Sequence, residues 1–62
     1  MSEVKISKLA ETLRNLDRAD GYYCFSNKLF DGYSEFEIAV AAKRAEKTVQ
    51  WMEYEQEAVV IL

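Results

Sequence analysis

Residues 22–41 read YYCFSNKLFDGYSEFEIAVA, and the reading of this stretch decides the fold. Asp31-Gly32 lies between two apolar-rich runs. Asp-Gly is the strongest short-range signal for a β-hairpin, because a type I′ turn needs positive φ at both central residues, and Asp and Gly tolerate that best. Pairing outward from the turn sets Lys28 opposite Glu35, Phe25 opposite Ile38 and Tyr23 opposite Val40. One face then carries Tyr23, Phe25, Leu29, Phe36, Ile38 and Val40, and the other carries Ser26, Lys28, Glu35 and Glu37. A slip of one residue would turn the two glutamates into the core, which specifies the register. The same residues admit a second reading. Ser34-Glu35-Phe36-Glu37 fits a capping box, with Tyr33 and Ile38 as a hydrophobic staple. A helix would then start at Ser34 and run past Gln56, with no Gly or Pro to interrupt it. The hairpin is the expectation carried forward.

Upstream of this stretch, from Ser2 to Ala19, apolar residues fall at Ile6, Leu9, Leu13 and Leu16, with Ala10 beside them. Steps of three and four residues make one helical face. Ser2 or Ser7 suits the N-cap, and Gly21 suits a position just past the helix end, where left-handed backbone costs Gly least. Downstream, from Ala41 or Ala42 to about Gln56, Ala42, Ala45, Val49 and Met52 again recur at helical spacing. Projection at 100° per residue gathers Arg44, Lys47, Trp51 and Tyr54 on the opposite side. Two aromatic rings flanked by two cations suit a binding face, since Trp, Tyr and Arg dominate interface hot spots. The blander reading covers both rings with the first helix or with a second subunit. The charge order of this helix is unfavourable. Lys43, Arg44 and Lys47 stand at its start and Glu53, Glu55 and Glu57 at its end, against the macrodipole. Val59–Leu62 either extends this helix or forms a short third strand.

The chain has 62 residues, half of them hydrophobic, with a net charge of −3, one cysteine and no histidine. That bounds it to one small α+β domain over residues 1–62. Its elements are expected in the order α-β-β-α, a central hairpin flanked by two helices, with the last residues as a short C-terminal strand in the alternative. A domain this small buries only about 60% of its unfolded surface, so docking on a partner or on a second copy is expected. One thiol builds no disulfide framework. Without histidine the usual general base and the commonest metal ligand are missing. No nucleophile–base–orienter set can be assembled, and the glutamate pairs 35/37 and 53/57 read as solvated faces. No catalytic residue, cofactor or metal site is expected. The N-terminal Met-Ser-Glu-Val-Lys has no apolar core of signal-peptide length, and with a single thiol this leads to an expectation of a cytoplasmic setting.

One resemblance accompanies this reading. Glu37-Ile-Ala-Val-Ala-Ala42 followed by Lys43-Arg-Ala-Glu-Lys-Thr-Val-Gln-Trp-Met52 resembles a helix-turn-helix segment of DNA-binding regulators, with Ala39 at the small position of the first helix and Thr48-Val49 opening the recognition helix. The resemblance implies base- or phosphate-facing roles for Lys47, Gln50 and Trp51. The chain departs from the pattern at Lys43, where a turn glycine is usual, and at Arg44, where an apolar residue is usual. The function expected from the sequence is therefore a non-catalytic, acidic protein-binding module, a regulator or inhibitor. It would act through the second helix with Arg44, Lys47, Trp51 and Tyr54, on another protein or on a second copy of itself. A DNA-binding regulator using residues 37–52 is the alternative.

Overall fold

A computed structural model describes residues 3–16, 21–53 and 56–62. The fold is α+β: two helices pack on an antiparallel three-stranded sheet. Helix α1 spans Glu3–Arg14, strand β1 Tyr22–Cys24, helix α2 Glu35–Arg44, strand β2 Thr48–Met52 and strand β3 Glu57–Ile61, and a single 3₁₀ turn covers Lys28–Phe30. The strand order is β1-β3-β2, so the C-terminal strand is central and the other two are edges. The C-terminal strand anticipated from Val59–Leu62 is thus present.

The expected element order is corrected in two places. Residues 22–41 do not form a hairpin: after β1 the chain passes through the 3₁₀ turn into α2. Asp31-Gly32 does reverse the backbone, but as a type II turn. Asp31 sits at φ −59°, ψ 131°, Gly32 at φ 85°, and the Tyr33 N–H donates to Phe30 O at 3.0 Å. Only the second central residue needs positive φ in this geometry. Its twist also splays flanking strands instead of pairing them. The pair that promised a hairpin therefore sets up a helix.

The capping box reading holds at the start of α2. The Glu37 N–H donates to Ser34 Oγ at 3.2 Å, and the Ser34 N–H donates to the Glu37 carboxylate at 2.8 Å. Of the staple pair, Ile38 belongs to the core and Tyr33 packs half-buried against it. The helix that begins here stops at Arg44 and does not run to Gln56. The Lys47 N–H donates to Ala42 O at 2.8 Å and the Glu46 N–H to Lys43 O at 3.1 Å, with Glu46 in left-handed backbone at φ 60°. This is a Schellman termination, with glutamate where Gly is usual. With these bounds the charge order becomes favourable. Glu35 and Glu37 lie in the first turn of α2, and Lys43 and Arg44 in its last, as the macrodipole prefers.

A left-handed glutamate costs roughly 1 kcal/mol relative to Gly. Glu46→Gly is therefore expected to stabilise the protein by about 1 kcal/mol in urea unfolding. In an uninterrupted helix the same change would destabilise by about 1 kcal/mol, so the sign of the measured change separates the two geometries.

α1 presents the face expected of it: Ile6, Leu9, Ala10 and Leu13 are buried, and Leu16 packs beside them. The helix ends at Arg14, and Ser7 lies in its interior, not at its cap. The expectations for Ser2 and for residues 17–20 lie outside the described residues. Gly21 does take left-handed backbone, at φ 82°. α1 and α2 pack together, and Ile38, Ala41, Ala42 and Ala45 meet the α1 stripe in one core with Phe30, Val60 and Leu62. Small residues along α2 let the two backbones approach. At the open end, Lys5 donates to Gly32 O, lies 4.8 Å over the Tyr33 ring and stands 3.7 Å from the Glu37 carboxylate.

The Glu37 carboxyl is held below its ordinary value of 4.5, first by the hydrogen bond from the Ser34 N–H, against an opposing effect of burial, with the Lys5 charge adding to the lowering. The folded state therefore binds fewer protons than the unfolded state in that range. The resulting stabilisation is complete above pH 4.5 and is lost as pH falls through the depressed value. Wild type is expected to lose more stability between neutral and strongly acid pH than Glu37→Gln does, as read by urea unfolding at each pH. Equal losses would remove Glu37 as a source of acid sensitivity.

Candidate functional site

The residues expected to form one helical face are distributed by this fold over three different settings. Arg44 closes α2 and is engaged within the molecule. Its guanidinium bonds both carboxylate oxygens of Glu3, one of them at 3.1 Å, and Arg14 reaches its carbonyl oxygen at 3.4 Å. The hydrogen bond with Glu3 raises Arg44 further above its ordinary value, and Arg44 in turn lowers Glu3. Arg44 is a tie between the helices. Lys47 follows the Schellman turn, half-buried, at the mouth of an open depression of about 400 Å³ that it lines with Glu46, Thr48, Ile61 and Leu62. Trp51 is on β2, not on a helix. The expectation for Tyr54 lies outside the described residues. The recognition helix implied by the helix-turn-helix resemblance is not formed either, since Thr48–Met52 is strand.

What the structure brings together instead is an edge strand with an apolar face. β2 pairs with β3 along one side, Thr48 opposite Ile61, Val49 opposite Val60, Gln50 opposite Val59, Trp51 opposite Ala58 and Met52 opposite Glu57. Among the described residues no strand pairs with its other side. Residues directly opposite share a face, so Val49 and Trp51 project to the side of Val60, which is the helix side, and Thr48, Gln50 and Met52 project to the outer side. The helical layer covers Val60 and Leu62 but leaves two β2 side chains in solvent: Trp51 is 58% exposed and Val49 37% exposed. Trp51 stands across from Ala58, whose methyl group offers little cover. Every residue from Thr48 to Trp51 is exposed.

An antiparallel edge strand points the N–H and C=O groups of alternate residues away from the sheet. An unshielded row of such groups is a template for another strand. β2 has no Pro and no charged residue between Thr48 and Met52. Charges flank it instead, Lys47 before and Glu53 after, and neither has an ion-pair partner among the described residues. Val49, Glu53 and the free backbone edge are the features that helical spacing concealed. The signal that could have found them is composition, because Thr-Val-Gln-Trp-Met is rich in the β-branched and aromatic residues that favour strands.

Chemistry elsewhere is sparse. Cys24 is half-buried on β1 opposite Val59. Glu57 accepts from both the backbone N–H and the hydroxyl of Ser26, the latter at 3.1 Å, and so ties the 25–26 turn to β3. Among the described residues no group of three or more potential ligands converges on a metal position, and no helix is long and apolar enough to cross a membrane. Comparison of the chain with protein-family models, with curated proteins and with solved structures yields no match.

Proposed function

We propose that this protein is a non-catalytic binding module, a regulator or inhibitor that acts by docking a strand of another polypeptide chain on the β2 edge. The single observation that carries the reading is Trp51, more than half exposed on an edge strand whose outer backbone side has no strand partner among the described residues. A tryptophan side chain presents roughly 150–250 Å², and at about 25 cal/mol per Å² covering the exposed part is worth on the order of 2–3 kcal/mol. Main-chain hydrogen bonds would supply the rest of the affinity, and Val49, Trp51 and the flanking charges the selectivity, as in strand addition generally. The reading moves the anchor from a helix to a strand, keeps Lys47 and Trp51 and releases Arg44. The single thiol suits a reducing, cytoplasmic setting for such a module.

The test is a photo-activatable residue at Gln50, introduced in the cell of origin. A discrete polypeptide adduct is expected, lost when Trp51→Ala is combined with the probe. Absence of any adduct at Gln50, with the same probe at Thr48 equally silent, would overturn the reading.

A further inference from the structure

We infer that the strand received by the β2 edge is β2 of a second copy of this chain, joined by antiparallel pairing about a two-fold axis through Gln50. The inference rests on the strand-docking reading above and names its occupant. It is carried by the self-complementarity of residues 47–53, Lys-Thr-Val-Gln-Trp-Met-Glu.

Place two copies of this segment antiparallel with Gln50 opposite Gln50. Val49 of each copy then faces Trp51 of the other, twice over. Both residues are exposed, both project to the helix side, and an aromatic residue opposite a β-branched one is among the favourable cross-strand pairs. Thr48 faces Met52. Just beyond the strand ends, Lys47 faces Glu53, again twice over. Within one chain these two charges stand at opposite ends of the strand, roughly 20 Å apart at 3.3 Å per residue, and cannot meet. In the pair, each meets its opposite.

No other register does as well. Side chains directly opposite must lie on the same side of the sheet, so with both helical layers on one side the axis passes through a residue, and registers shift two positions at a time. Centring on Val49 sets Trp51 against Lys47. Centring on Trp51 sets Val49 against Glu53. Only the Gln50-centred register pairs all five strand residues, joins the apolar residues to each other and sets the charges against their opposites. The product is a six-stranded sheet, β1-β3-β2 continued by β2-β3-β1, and two of its four edges are removed. A five-residue seam is small against a standard protein interface, which places the pair among transient, concentration-dependent assemblies.

The test uses charge reversal and sedimentation equilibrium. Wild type is expected to rise from 7.2 kDa towards twice that mass as concentration increases, into the range of roughly 1 mM. Lys47→Glu and Glu53→Lys each set like charges opposite one another at both ends, and each is expected to weaken dimerisation about tenfold or more. An equimolar mixture of the two variants restores both opposite-charge pairs in a mixed dimer and should associate at least as well as wild type. The doubly reversed chain should recover as a homodimer. Amide spectra of each variant confirm that the monomer fold persists. A wild-type chain that stays at 7.2 kDa throughout, or single reversals that leave the mass unchanged, or a mixture that fails to recover, would overturn self-pairing. The crosslinking experiment reads adducts of any mass, so it decides the strand-docking reading separately.

Discussion

Leu13→Ala is expected to lower folding stability by about 3 kcal/mol and the melting temperature by at least ~12 °C. Leu13 is completely buried, on the same α1 face as Ile6 and Leu9 and in one core with Ile38, Ala41, Ala42 and Val60. Removing three methylene-equivalent carbons forfeits their transfer free energy and leaves a cavity. The core around it includes Ala41, Ala42 and Ala45 of α2, whose methyl groups cannot extend into a gap. A chain of this length has a total stability of only ~3–9 kcal/mol, so the loss is a third or more of the total. Circular dichroism melts of the two proteins give the comparison directly. A fall of only 2–3 °C would mean that α1 does not pack as described.

Trp51→Ala is expected to do the reverse: fold stability changes by less than ~1 kcal/mol, while association through β2 weakens by about 2 kcal/mol, some 30-fold. The asymmetry follows from exposure. Trp51 contributes little to the monomer core, with 58% of it in solvent and Ala58 as its cross-strand neighbour. In a docked state the same ring becomes the largest apolar surface at the seam. It is also the chain's one tryptophan, so its emission reports association directly, moving to shorter wavelength as the ring leaves water. If Trp51→Ala unfolds the chain, the ring is part of the core and the site assignment fails.

Much of this architecture was legible in the residues, and the failures have a common physical cause. The α1 stripe, the capping box at Ser34 and the apolar C-terminal strand were all readable, because each announces itself by periodicity, by a capping pair or by a β-branched run. The breaks after α2 and between β2 and β3 were not. At both places the chain takes left-handed backbone without a glycine, at Glu46 with φ 60° and at Gln56 with φ 54°. Glycine is the residue by which such positions are normally recognised. With the breaks hidden, Ala42, Ala45, Val49 and Met52 satisfied helical spacing by coincidence, although the last two belong to a strand with period two. The glycine signal at Gly32 belongs to a type II turn, which Asp-Gly alone does not distinguish from the type I′ turn of a hairpin. The charge order carries the clue: a helix with cations first and anions last contradicts its own dipole. Ending it at Arg44 and starting it at Glu35 removes the contradiction. The candidate site suffered from the same error. The expected grouping of Trp51 and Lys47 with Arg44 depends on a helix that does not extend to them.

The account depends most on residues 48–52 being a strand with one paired side and one open side. Amide hydrogen exchange of the dilute protein, resolved residue by residue, tests this most directly. Protection alternating with period two from Thr48 to Met52, the inward amides slow and the outward amides fast, is the predicted result. Consecutive protection continuing unbroken from Arg44 through Glu53 would mark a continuous helix and contradict the fold, the edge and the site together.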